Sequence, residues 1–321
     1  MTRYLDAMPH PWTKTDIRTA IFKDFTKVTE SIENTEGGIL WRFLADLEDV
    51  IWIFQSSCAD LLDEICVFGE RSRSPHFWNH VNSGEIDGYT RNIKKKLYVC
   101  TSALMTVVEV ARTFQNKYPV ADFDAKRSLV FSTVGLHDFL QGLRNYNTHW
   151  RIAEANWRIE TSKEARIARF VVEKDELLAW GSWTVKAKKF ITDTPDFIDL
   201  YAVLTLYRSH IQDFYAWHKG AVLDNYATVI SQYFQYKSIH EGINHGMYWN
   251  MLISNLPKGL NPYQYLGRYL REPQLQVLLS LEHRSEQQVD ALIQMLGMSD
   301  YCDSSLREKV LKLFNVSTSE G

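Results

Sequence analysis

Cysteine is scarce: 321 residues hold four, Cys58, Cys66, Cys100 and Cys302, and no two stand in a CxxC pair. Without that spacing they read as small buried thiols of a protein in a reducing compartment. Phosphate-cradling loops are missing too. No P-loop and no G-x-G-x-x-G occurs, Gly37-Gly38 alone reads as a turn, and neither ATP nor NAD is called for. Long apolar runs are absent. The longest, Val50-Ile51-Trp52-Ile53-Phe54, falls far short of the roughly 20 residues a membrane span needs. Met1 to Pro11 holds Arg3, Asp6 and two prolines with no apolar core, so it does not read as a secretory leader. The cytoplasm is the expected location. Neither sign of charge dominates, and the net value of −3 excludes a general polyanion binder. Any nucleic-acid contact must come from a local basic surface.

What is present is apolar residues, at 45%, and aromatic ones, at 13%, enough for a substantial core. From Gly38 to Val67 the positions Leu40, Leu44, Leu47, Ile51, Phe54, Cys58, Leu61 and Ile65 keep helical spacing. A polar stretch from Gly69 to Gly88 reads as a loop. A second helix is expected over about 92–115, with Val99, Ala103, Val107, Val110 and Phe114 facing the core. A third is expected from Asp122 or Asp124 to about His149. Its buried face carries Leu136, Phe139, Leu140 and Leu143 at offsets 0, 3, 4 and 7.

The period then changes. Ala153, Ala155, Trp157 and Ile159 alternate with polar residues, Thr161 to Glu164 reads as a turn, and Ala165 to Val172 returns. A hairpin near 153–173 follows. Helices are expected again over 175–189, from Thr194-Pro195 as cap and first-turn proline, and over 224–236 and 245–254. Beyond Pro257 the segments shorten. Ser285 and Ser305 each open a capping box, and Gly297 closes the first of these helices. The fold class is therefore mostly α: a helical bundle with an inserted hairpin over 1–256 and a small helical subdomain over 257–321.

One segment points to chemistry. Leu143-Arg144-Asn145-Tyr146-Asn147-Thr148-His149 has the form R-N-x-x-x-H at the end of an amphipathic helix. Arginine stays charged and its planar fork matches phosphate oxygens. Histidine titrates near neutrality and moves protons either way. Asn145 is suited to bind a phosphate or orient the histidine. Metal-independent RNA cleavage needs those services while a 2′-hydroxyl attacks the adjacent phosphate. Five residues on an ideal helix turn through about 140°. Arg144 and His149 thus do not converge along one straight helix: either His149 sits where the helix breaks, or a two-fold dimer brings two such helix ends together around one shared cleft.

On this motif the chain resembles the HEPN superfamily, helical proteins marked by an arginine, a neighbouring polar residue and a following histidine. The resemblance covers about 38–220: two long helices, the motif helix and a later packing helix. It implies a bacterial toxin or phage-defence endoribonuclease with catalytic Arg144, Asn145 and His149, acting as a homodimer. RNA is the implied partner, beside a regulator or antitoxin from a neighbouring gene. Non-catalytic members also exist, so a scaffold or regulatory module is the alternative. Read without the resemblance, Arg144 pairs with Asp138 or Glu154 and His149 caps its helix.

Arg151, Arg158, Arg166 and Arg169 lie on the hairpin segment that follows the motif directly and are candidate phosphate contacts, the first three above all. Tyr146, Trp150 and Trp157 are candidates for base stacking, with core packing as the simpler reading. Lys94 to Lys96 and Lys186, Lys188 and Lys189 read as solvated helix faces. His240-Glu241-Gly242-Ile243-Asn244-His245 departs from H-E-x-x-H by one residue, and His76 and His80 lack a third ligand nearby. No metal or other cofactor is expected. A helix-turn-helix reader in the C-terminal segment is disfavoured by Glu286, Asp290, Asp300, Asp303 and Glu308.

Overall fold

The computed structural model describes residues 3–24, 27–149, 156–161, 166–257 and 259–316. Its helices are α1 (Lys14–Asp24), α2 (Val28–Glu33), α3 (Glu36–Arg71), α4 (Ser83–Lys117), α5 (Phe123–Val130) and α6 (Leu136–His149). Next come α7 (Lys174–Leu178), α8 (Val185–Asp193), α9 (Leu200–Asn225) and α10 (Ala227–Ser254). The last three are α11 (Glu272–Ser280), α12 (Glu286–Met295) and α13 (Ser304–Leu313). Strands β1 (Asn156–Thr161), β2 (Arg166–Glu173) and β3 (Phe197–Asp199) complete the chain. The fold is mostly α with one small antiparallel sheet, ordered β1-β2-β3.

Two compact units divide the chain. One is Leu40–Ala227; the other joins Met1–Ile39 to Thr228–Gly321. The residues beyond Pro257, expected to form a small subdomain, do build a local core. Leu266, Leu278, Val289, Leu292, Leu306 and Phe314 form it. Yet Trp249 and Ile253 of α10 pack against that core, which ties it to the helix before Pro257.

The 40–227 unit is built as amphipathic spacing dictates. Leu44, Leu47, Phe54, Cys58, Leu61 and Ile65 of α3 are buried, and so are all four stripe residues of α6. Helix α4 departs from expectation. Its buried line is Ile93, Leu97, Cys100, Leu104, Val107, Ala111 and Phe114, whereas Val99 is exposed and Val110 half-buried. It also begins at Ser83, well before the expected start, so the loop over 69–88 shrinks to Ser72–Asn82 with two 3-10 turns. The stretch His80–Lys117 is long and apolar enough for a membrane by length and composition, but 44% of its apolar window is buried inside the fold. Of the thiols, Cys58 and Cys100 are buried and Cys66 is exposed, against expectation.

The expected helix from 122 to 149 is split into α5 and α6. Gly135 takes φ +79°, and a Cβ there would collide with the carbonyl of Lys186 and lie 2.9 Å from Phe190 Cβ. Gly135 thus sets where the motif helix begins and how closely α8 approaches it. We expect Gly135→Ala to destabilise the protein by about 2 kcal/mol or more, through backbone strain and a clash with backbone that cannot yield. A urea midpoint unchanged from wild type would overturn this.

The hairpin forms as expected, with Trp157 opposite Phe170 and Arg158 opposite Arg169. Strand β3, which pairs Ile198 with Val172, replaces the helix start expected at Thr194-Pro195. Thr194 instead ends α8, its Oγ1 donating to the Phe190 carbonyl at 2.7 Å. Asp199 caps α9 by accepting from the N–H groups of Tyr201 and Ala202 at 3.0 and 3.2 Å. A carboxylate that reaches two free amides fixes the helix start better than a hydroxyl.

The other unit shows the same capping logic. Ser285 accepts from Gln288 N at 3.1 Å, and Gly297 ends α12 with φ +67°. At α13 the cap is Asp303, which accepts from Leu306 N at 2.8 Å, two residues ahead of the expected Ser305. Gly37 and Gly38 lie in the first turn of α3, not in a free turn; a Cβ on Gly37 would strike the Val229 carbonyl.

Candidate functional site

The R-N-x-x-x-H motif occupies the second half of α6. Leu143 and Tyr146 anchor it in the core, both fully buried. Tyr146 donates to Glu176 Oε1 at 3.3 Å and stacks with Trp183, rings 5.9 Å apart. It is a packing residue and not a base-stacking platform. Gly142 lets an edge of the Trp183 ring approach the helix closely, since a Cβ there would sit 2.6 Å from a ring carbon.

Arg144 and Asn145 are half-buried, and Arg144 Nη1 donates to Asn145 Oδ1 at 3.1 Å. Among the described residues no carboxylate pairs with Arg144, and Asp138 in particular does not. Glu154 lies outside the described residues. His149 is the last helical residue and is exposed. Arg144 and His149 lie on one continuous helix, about 140° apart around its axis and roughly 7.5 Å apart along it. The structure thus brings Arg144 and Asn145 together, while His149 points elsewhere within the single chain. Thr148 Oγ1 donates back to the Arg144 carbonyl at 2.9 Å.

Two residues missed by sequence reasoning precede the motif on the Arg144 side. Gln141 Nε2 lies 2.7 Å from His137 Nε2, and His137 Nδ1 lies 2.6 Å from the Tyr207 hydroxyl. With Gln141 donating, the ring proton sits on Nδ1 and is given to Tyr207. Burial, the largest influence, holds His137 below its ordinary value, and Arg127 and Lys186 add to this against Asp138. The neutral ring is a strut that fastens α6 to α9.

The hairpin arginines fare unequally. Arg151 lies outside the described residues, as does the side chain of Arg166, whose backbone pairs with Thr161. Arg158 is exposed, its guanidinium 4.3 Å from the Phe197 ring. Trp157 is half-buried against Phe68, rings 3.3 Å apart and nearly parallel, so it serves packing. Trp150 lies outside the described residues.

The other histidine pairs are structural. His240 Nε2 meets Asn244 Nδ2 at 3.0 Å, and Gly242 makes room for the Tyr301 ring. His76 and His80 fall in separate 3-10 turns and do not share a helical face. Among the described residues, no group of three or more His, Cys, Asp or Glu is placed to hold a metal ion.

No protein family's sequence pattern matches this chain, and neither a curated protein nor a solved structure resembles it beyond chance. The functional reading therefore rests on the motif and its setting alone.

Proposed function

We propose that this protein is a metal-independent endoribonuclease of HEPN type, working in the cytoplasm as a homodimer in a bacterial toxin or phage-defence setting. The observation that carries the proposal is the Arg144–Asn145 pair. Its guanidinium is joined to a neutral carboxamide, and among the described residues no acid neutralises it. A permanent cation on a rigid helix, with an exposed histidine closing the same helix, has the parts that phosphate recognition and proton transfer need. Two long helices, α3 and α4, followed by the motif helix α6 and the later helix α9, also suit the arrangement that the resemblance implies.

In this reading Arg144 steadies the charge gathering on the phosphate, Asn145 positions it, and His149 takes or delivers the proton. Attack by the 2′-hydroxyl breaks the bond to the 5′-oxygen and leaves a cyclic phosphate. Purified protein incubated with total RNA and a chelator is expected to yield fragments with 2′,3′-cyclic phosphate ends. Intact RNA, or cleavage that needs added Mg²⁺, overturns the proposal.

Arg151, Arg158 and Arg166 are the proposed track for the RNA backbone. Each phosphate contact adds close to one unit to the salt slope of binding. Replacing Arg158 and Arg166 with Glu is expected to weaken RNA binding and lower that slope by roughly two. An unchanged slope assigns Arg158 to the sheet surface that it shares with Phe197.

A further inference from the structure

A cavity of about 430 Å³ opens in the unit that holds the C-terminal helices. Its walls come from Trp249, Ile253, Leu256, Leu292, Leu296 and Phe314, with other apolar neighbours. Close packing normally leaves few voids larger than a water molecule, so a concave apolar space of this size is not an ordinary core defect. It falls within the range of small-ligand sites, roughly 300–1,000 Å³. Polar groups are few among the lining residues. Arg268 is the only charged residue among the described lining residues. Its guanidinium rests over the Tyr265 ring at 5.1 Å and pairs with no carboxylate among the described residues. The stacking holds the planar fork in place while leaving its N–H groups free to donate.

We propose that this cavity binds a medium-chain monocarboxylate, with the tail among the leucines and the carboxylate on Arg268. An apolar lining selects a saturated tail, and one fixed cation at the edge selects a single anionic head. The site is independent of the ribonuclease reading, since none of its lining residues belongs to the unit that carries Arg144.

The test uses the full chain and isothermal titration below micelle concentrations, with octanoate, decanoate, decanol and decyltrimethylammonium. Decanoate is expected to bind, and octanoate to bind roughly tenfold more weakly for its two missing methylenes. Decanol is expected to be about tenfold weaker than decanoate, and the cation not to bind. Arg268→Gln, at an exposed position, should cost decanoate about tenfold and leave decanol unchanged. Leu256→Trp, at a half-buried wall position, should block all of them while far-UV circular dichroism stays native. Several results would overturn the proposal. One is equal binding of acid and alcohol; another is indifference to Arg268→Gln. Preferential sedimentation with phosphatidylglycerol vesicles would assign the site to membrane lipid. Absence of acyl binding alongside a Leu256-dependent dimer would assign it to a second copy.

Discussion

Mixing Arg144→Ala chains with His149→Ala chains is expected to restore part of an RNA cleavage that neither protein shows alone. Both single variants should be nearly inactive. Loss of an acid–base group costs about 10²–10⁴-fold, and loss of a charge-stabilising donor about 10²–10³-fold. Neither should unfold the chain, because His149 is exposed and Arg144 only half-buried. The expectation of rescue comes from helix geometry. Arg144 and His149 occupy one unbroken helix, five residues apart, and face directions about 140° apart. One chain cannot aim both at a single phosphate without its partner, whereas a two-fold axis near the end of α6 supplies Arg144 from one chain and His149 from the other. If one residue of each kind suffices, mixed dimers regain activity. If both copies are required there is no rescue, but one mutant chain poisons a wild-type partner. Light scattering establishes the dimer beforehand. A strict monomer that cleaves RNA overturns the shared cleft, and a dimer inactive on every RNA favours the scaffold alternative.

How much of this was legible in the sequence varies with the range of the interaction. The α6 stripe was read correctly because Leu136, Phe139, Leu140 and Leu143 are strongly apolar and their period is local. The α4 stripe is legible only in part: Val107 and Phe114 are buried as their spacing predicts, but the buried line also takes in Cys100, Thr101 and Ala111, while Val99 is left exposed. Hydrophobicity alone weighs those in the wrong order. Strand β3 has three residues, too few for a period, and exists only because Glu173 and Val172 are there to pair with it. The Gly135 break needed knowledge of α8, whose Lys186 and Phe190 forbid a side chain at that point. The same holds at the candidate site. Arg144, Asn145 and His149 were found from a local spacing, but the His137–Tyr207 bond joins residues far apart in the chain and left no local trace.

A second buried histidine, His218, should make the protein acid-labile. It is 1% exposed, and its Nε2 is buried without a hydrogen-bond partner. Phe114 and Phe123 present ring edges at 5.4 Å each, and Phe214 lies roughly parallel at 6.3 Å. Such a cage cannot solvate an imidazolium, and burial pushes the His218 pKa down to about 4 from an ordinary 6.5. The unfolded chain therefore takes up a proton near pH 6.5 that the folded chain refuses until about pH 4. Between those values the unfolded state binds more protons, so stability falls as pH falls, by roughly 3 kcal/mol across the window. Above pH 6.5 the contribution is constant, and below 4 the loss is complete. Burial also lowers His137 and His210, which adds loss of the same sign. Replacing His218 with Phe removes both the titration and the unmet ring nitrogen from an aromatic surround that accepts a ring of similar size. His218→Phe should thus match or exceed wild-type stability at pH 7.5 and exceed it by roughly 3 kcal/mol more at pH 4.5. Urea midpoints of both proteins at the two pH values decide the matter. Parallel decline of wild type and variant would show that His218 is not the group that acid attacks.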